Sequence, residues 1–340
     1  MKKILLSVII FASIFNSYSQ TYKLSKKIST SGNDGWDYLA VDEVAQHLFV
    51  SHGNMVNVID LKSDKTIATI PDTKGVHGIA VANDLSKAFI SNGKDNSITI
   101  VNLKTFELLE KVKITGVKPD AILYDQFSRK VFIYNAESND ATVIDANTNK
   151  VVKTIPLGGK PEFSVTNTKG LIYVNIENKN EIKTINASTL KVTNTWSIAP
   201  GDEPSGLAID LVTNRLFSVC SNNLMIIVNA KNGKIIKTLP IGDGCDGVVF
   251  DAKKKLIFAS NGEGTITVVK ESNANTFSIL ETVKSQKGAR TIALNKTTNQ
   301  LYLPSADFGV KPEPTTENPK PRAGIVPNSF VILVVEPISK

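Results

Sequence analysis

The chain reads as an all-β, seven-bladed propeller of four-stranded antiparallel blades, closed by a strand from its own N-terminal end. Three observations carry that expectation. A short apolar strand recurs seven times: Tyr38-Leu39-Ala40-Val41, Gly78-Ile79-Ala80-Val81, Ala121-Ile122-Leu123-Tyr124, Phe163-Ser164-Val165-Thr166, Gly206-Leu207-Ala208-Ile209, Gly247-Val248-Val249-Phe250 and Thr291-Ile292-Ala293-Leu294. The residue before each copy runs Asp37, His77, Asp120, Glu162, Ser205, Asp246, Arg290, at spacings of 40, 43, 42, 43, 41 and 44. A period in that range, with several short strands per unit, belongs to propeller blades. No long segment shows helical periodicity.

In chain order, residues 1–19 read as a secretory signal. Lys2 and Lys3 form a basic start, 4–15 an apolar stretch, and Ser17-Tyr18-Ser19 a small-x-small cleavage site. Twelve apolar residues fall short of the ~20 a spanning helix needs, so the expected location is periplasmic or extracellular, with no membrane span. The mature remainder, 20–340, is expected to be one propeller domain. Residues 22–29 supply its closing strand, with Tyr22, Leu24 and Ile28 on one face, interrupted by Lys26, and lysines pointing to water.

The third unit shows how each blade is written. Strands at 121–124, 131–134, 141–144 and 150–156 are rich in Val, Ile, Phe and Tyr, as half-buried pleated surfaces prefer. The turns between them carry Asn, Asp and Ser, which bond their own backbone. The seventh unit lacks a fourth strand, and 22–29 is available to fill the gap. Residues 306–328 break the period; five of the fourteen prolines lie there, so the segment reads as a long loop rather than a central strand.

These units resemble the YVTN family of β-propeller repeats. The resemblance is closest in 143–158, which begins Val143-Ile144-Asp145-Ala146-Asn147-Thr148-Asn149-Lys150, and Ile172-Tyr173-Val174-Asn175 echoes the four letters that name the family. It covers 33–336 apart from the Pro-rich loop and implies the fold. The family includes secreted proteins, a periplasmic member that binds single-stranded DNA, and relatives of quinoprotein dehydrogenase subunits. It shares no catalytic motif, so the resemblance brings no site residues with it; function has to come from a site.

That site is expected where inner strands begin and where strands two and three join, around one mouth of the central channel. The candidate ligand-binding residues are Trp36, Asp37, His52, His77, Asn92, Asp120, Asn135, Glu162, Asp246, Asn261 and Arg290. Convergent polar groups in a concavity are the default place for a ligand. Their carboxylates favour a cationic or polyhydroxylated ligand, with a weak case for Ca²⁺, and Arg290 and His77 suit a carboxylate on it. No metal set is assigned. Zinc shared by His52, His77, Cys220 and Cys245 is rejected, because the two pairs lie across the ring. Cys220 and Cys245, on adjacent blades, read either as a disulfide or as two free thiols.

The formal charge of +7 loses two with Lys2 and Lys3, leaving a mild basic excess spread over turns. No Gly-x-Ser-x-Gly elbow or phosphate-cradling glycine loop appears. The sequence reading is therefore a monomeric scaffold that binds a small molecule, glycan or protein. Two alternatives stand beside it: a lyase or lactonase using His52, His77, Asp37, Glu162 and Arg290, and a single-stranded nucleic-acid binder with Trp36 and Tyr134 as stacking rings.

Overall fold

Alternating apolar strands and Asx turns leave each repeat with two apolar faces and no core of its own. The computed structural model, which describes residues 21–338 apart from 33, 317, 318 and 320, resolves that by stacking seven four-stranded antiparallel sheets around a channel. The expected signal segment lies outside the described residues. Inner strands run Trp36–Asp42, Val76–Ala82, Pro119–Asp125, Pro161–Thr166, Pro204–Asp210, Cys245–Asp251 and Ala293–Leu294. The two middle strands of a blade are buried, as in Lys130–Asn135 and Asp140–Asp145, while outer strands such as Lys150–Pro156 face solvent.

The buried side chains form clusters that each straddle two neighbouring blades. Phe49, Val56 and Val58 of blade one pack on Ile79, Ala88 and Ile90 of blade two, for example, and the same arrangement repeats around the ring. Turns repeat as well. Asp145 Oδ1 accepts the N–H groups of Asn147 and Thr148, and Asn149 closes the turn at a φ of 61°. Asp and Asn accept the turn N–H groups and Asn tolerates left-handed backbone, so these residues punctuate each repeat.

Blade seven is built from Ala293–Leu294, Leu301–Ser305, Val331–Pro337 and, outermost, Tyr22–Ser29. The closing strand is where the sequence placed it, but its faces differ from simple alternation. The register slips between Leu24 and Lys26, a bulge at Ser25. An extra residue inverts the pleat beyond it. Tyr22 and Leu24 therefore pack toward blade six, Tyr22 edge-on to Phe258 at 4.8 Å, whereas Ile28 joins the cluster shared with blade one. The same inversion explains Lys26, which reaches Asp64 of blade one in an ion pair. The strand is a wedge between two blades.

Tyr22 is 1% exposed, so Tyr22→Ala is expected to cost about 3–5 kcal/mol, as for other large buried side chains cut back to Ala. Ile28→Val, which removes one methylene from the other junction, is expected to cost about 0.5–1.5 kcal/mol. Urea unfolding of the two variants checks both, and equal small losses would show that the strand does not wedge the ring.

Candidate functional site

Six of the seven inner strands start with a distortion. Register shifts fall between Trp36 and Leu39, Val76 and Ile79, Pro119 and Ile122, Pro161 and Ser164, Pro204 and Leu207, and Cys245 and Gly247. Bulges re-aim side chains, and the residues inside these are the ones before each repeated strand. Hydroxyls on strand two fix them. Ser51 Oγ accepts the Asp37 N–H at 3.1 Å, Ser91 Oγ donates to the Asp120 carbonyl, and Ser260 Oγ donates to the Arg290 carbonyl at 2.6 Å. Thr291 Oγ1 donates to the Asp37 carbonyl at 2.6 Å.

The result is a girdle of charge across the channel. His77 Nδ1 lies 2.6 Å from Asp37 Oδ2 and 3.7 Å from Asp120 Oδ1. On the other side of Asp37, Arg290 places an Nη 3.4 Å from Asp37 Oδ1 and its Nε 2.8 Å from Asp246 Oδ2. Lys160 Nζ sits 2.8 Å from Glu162 Oε1 and also contacts Glu177. Ser205 takes no part in these ion pairs; its hydroxyl donates to the Cys245 carbonyl at 3.3 Å. Blades one, two, three, six and seven thus contribute to one chain of contacts.

Crowded acids in a partly dry site resist ionisation. Burial pushes the Asp120 carboxyl up to about 6, with Asp37 and Asp246 adding to the rise and His77 opposing it. Burial and the nearby Asp120 raise Glu162 well above the usual carboxylate range, although Lys160 pulls the other way. Asp246 is raised by burial against the pull of Arg290. Burial alone would lower His77, but the hydrogen bond to Asp37 and the charges of Asp120 and Asp37 outweigh it and raise its pKa.

Above the girdle opens a basin of about 690 Å³. Its wall includes Asp34, Trp36, Asn54, Lys94, Lys118 and Glu137, with Asp37, His77 and Arg290 at its base. Among the described residues, Asp37, His77 and Asp120 bring three ligand atoms within 4.8 Å of one another, a spacing that a cation could share. One imidazole and two carboxylates are a mixed N/O set, not the six to eight oxygens Ca²⁺ takes.

The remaining expected residues lie elsewhere. Asn92, Asn135 and Asn261 are fully buried in the blades, not at the mouth. Each still pairs in the sheet ladder, and its amide donates to hydroxyls of strand three: Asn92 to Ser97 and Thr99, Asn135 to Thr142, Asn261 to Thr265 and Thr267. His52 is also buried. It stacks on Phe330 at 4.0 Å, and its ring nitrogens meet the carbonyls of Asp34 at 2.8 Å and Ser31 at 3.2 Å, pinning the chain that leads into blade one. His52 and His77, both expected in the lyase or lactonase set, therefore have separate partners, and His52 is not part of the charged girdle. Trp36 is 8% exposed, between Phe330 and Phe308.

Cys220 and Cys245 are free and buried, so the structure contains the two-thiol alternative and not the disulfide. They occupy different packing clusters, and Cys245 Sγ is turned to the Gly247 carbonyl at 3.5 Å. The Pro-rich loop is rooted by a short antiparallel contact, Phe308 opposite Ile325, with Gly309 N–H donating to Gly324 O at 2.9 Å. Phe308 packs on Trp36 and Gly288 beside the basin, and Arg322 is exposed. Sequence reasoning missed Lys160, Lys118, Tyr38 and the serines. The serines had a visible signal, a Ser one place before the last residue of strand two in Ser51-His52, Ser91-Asn92 and Ser260-Asn261.

Two predictions follow from these environments. Glu162 is protonated in the folded chain at pH values where the unfolded chain has already ionised it, so its contribution to stability falls as pH rises above about 4.5. Glu162→Gln removes that loss; the variant is expected to gain on wild type in melting temperature between pH 5 and pH 7, and a constant difference would contradict the assignment. Burial raises the Cys220 thiol to about 12 and holds Cys245 well above the usual thiol range. Both are expected to ignore a thiol reagent in the native protein and to titrate fully once it is unfolded; a mass two hydrogens lighter before reduction would show a disulfide instead.

No family model matches the chain. It is 27% identical over 168 residues to the uncharacterized protein YncE of Salmonella typhi, covering 47% of this chain and 46% of that one. Identity to its counterpart in Salmonella typhimurium is 26% over the same length. The chain thus matches about half the length of these curated relatives. Among solved structures, U3-55K superposes with a TM-score of 0.75 at 8% identity, covering 94% of this chain and 98% of that one. Hydrazine synthase of Kuenenia stuttgartiensis gives 0.69 at 15%, with 81% and 93% covered. At such identities the likeness is one of fold.

Proposed function

We propose that this chain is an exported propeller of the YVTN-repeat kind that binds a small polar ligand in the basin above its charged girdle. The observation that supports this is the clasp of Asp37 by both His77, at 2.6 Å, and Arg290, at 3.4 Å, at the base of an open basin. Buried or half-buried charges are costly to hold together unless they are paired. Here the pairs leave donors and acceptors of both signs facing one space. A polyhydroxylated or zwitterionic ligand meets both, with its anionic group on Arg290, Lys118 or Lys94 and its donors on the carboxylates. Export rests on the leader read at 1–19, and N-terminal sequencing of the secreted protein checks it.

A second reading has one observation in its favour. His77 stands between two carboxylates, one with a pKa near 6, which is the arrangement of an acid–base residue in a lyase. The nucleic-acid reading has less support, because Trp36 and Tyr134, the rings expected to stack on bases, are buried.

Screening sugars, polyols and amino acids by thermal shift comes first. For a compound that binds, His77→Ala and Arg290→Ala are each expected to weaken affinity tenfold or more; because each also takes a partner from Asp37, the melting temperature without ligand is expected to fall, and affinities are compared well below it. Affinity unchanged in both variants places the site elsewhere, and turnover of a bound compound lost in His77→Ala selects the lyase.

A further inference from the structure

The channel changes character below the girdle. The rings of Tyr38 and Phe163 approach with centroids 5.5 Å apart, and the Tyr38 hydroxyl lies in the field of the carboxylates above. Beneath them the inner strands turn Leu39, Ile122, Val165, Ile209 and Phe250 into a chamber of about 730 Å³. All five are half-buried, not closed against one another. Apolar walls around a space of this size are the usual lining of a small-molecule site.

The lower mouth carries two further features. Its rim exposes apolar side chains on the turns after inner strands, Leu211 at 48% and Val212 at 77%, with Phe127 at 56% in the adjoining groove. Lys253 and Lys296, on the turns of blades six and seven, also line the chamber. Lys253 Nζ donates to the Lys296 carbonyl at 3.2 Å, and among the described residues no ion pair engages either ammonium. The acids at this mouth are partly committed, with Asp251 Oδ2 buried and without a partner. Asp210 holds Lys255 Nζ at 2.9 Å and Thr213, and Asp251 Oδ1 accepts the N–H groups of Lys253 and Lys254.

We propose that the lower chamber binds a monomeric long-chain carboxylate, its alkyl chain running up toward Tyr38 and Phe163 and its head group held by Lys253 and Lys296. Apolar walls select the chain, and two unpaired lysines at the entrance select the sign of the head. The chamber's volume of about 730 Å³ sets a maximum length. This site uses no residue of the upper basin's ion pairs, so it stands or falls separately from the function proposed above.

The test uses the mature chain and a series from octanoate to tetradecanoate below micelle-forming concentrations, read by calorimetry. Affinity is expected to rise about fourfold per added methylene and then level off once the chamber is full. The double variant Lys253→Glu/Lys296→Glu, on exposed turns, is expected to bind dodecanoate at least tenfold more weakly and to prefer dodecyltrimethylammonium. Val165→Trp, which fills the chamber, is expected to abolish the chain-length dependence; should it fail to fold, the lysine variant still decides. No binding, a flat length series, or equal affinity for dodecanoate and the ammonium would overturn the proposal. So would binding to anionic vesicles without binding to the free carboxylates.

Discussion

Burial between blades, not within them, is the interaction on which the rest of this structure depends. A single four-stranded sheet here has two apolar faces, and each is covered only by the next sheet. Such a unit cannot be stable alone, because its exposed area would forfeit about 25 cal/mol for every Å² of apolar surface left in water. Closure is therefore compulsory, and the closing junction carries the same load as the other six. The bulge at Ser25 lets one eight-residue strand serve two junctions, with Tyr22 on one and Ile28 on the other. A regular strand would have put both on the same side.

Ring geometry also explains the charged girdle. Bulges where six of the inner strands begin lie at the residues that meet across the channel, and Arg290 joins them from blade seven. Four carboxylates, Asp37, Asp120, Glu162 and Asp246, would repel one another in so small a volume. Arg290, His77 and Lys160 each lie against at least one of them. Burial first, and then the neighbouring carboxylates, hold Asp120 and Glu162 above the usual carboxylate range against the pull of His77 and Lys160.

The fold was legible in the sequence because its signal is redundant. Seven copies of one strand at a near-constant spacing outweigh any local ambiguity, and the missing fourth strand of the last unit pointed to 22–29. The positions before each strand were legible for the same reason. What failed was the orientation of single side chains. His52, Asn92, Asn135 and Asn261 occupy equivalent places at the end of strand two, and polarity suggested an open mouth. In the sheet ladder they turn inward, where hydroxyls such as Thr99 and Thr142 accept the asparagine amide N–H groups and backbone carbonyls meet the His52 ring, while the three asparagine Oδ1 atoms are buried without a partner. Polarity alone does not separate a ligand-facing amide from one that knits a blade together. Pairs across the chain, such as Arg290 with Asp37, depend on ring closure and leave no trace in local spacing.

The two ends of the channel differ more than packing requires. Inner strands of all blades carry alternating residues on the channel side, and nothing in a repeat demands that the upper residue be charged and the lower ones apolar. Yet polarity changes with depth: ion pairs at the top, an aromatic pair at the waist, aliphatic and aromatic walls below, and both lysines and aspartates at the exit. The Tyr38 phenol, between a carboxylate field and an apolar chamber, is held far from ionising, first by its burial and then by Glu162 and Asp120. It stands beside a small pocket of about 250 Å³ whose lining includes residues of both levels, Asp246 of the girdle and Val165, Ile209 and Phe250 of the apolar chamber.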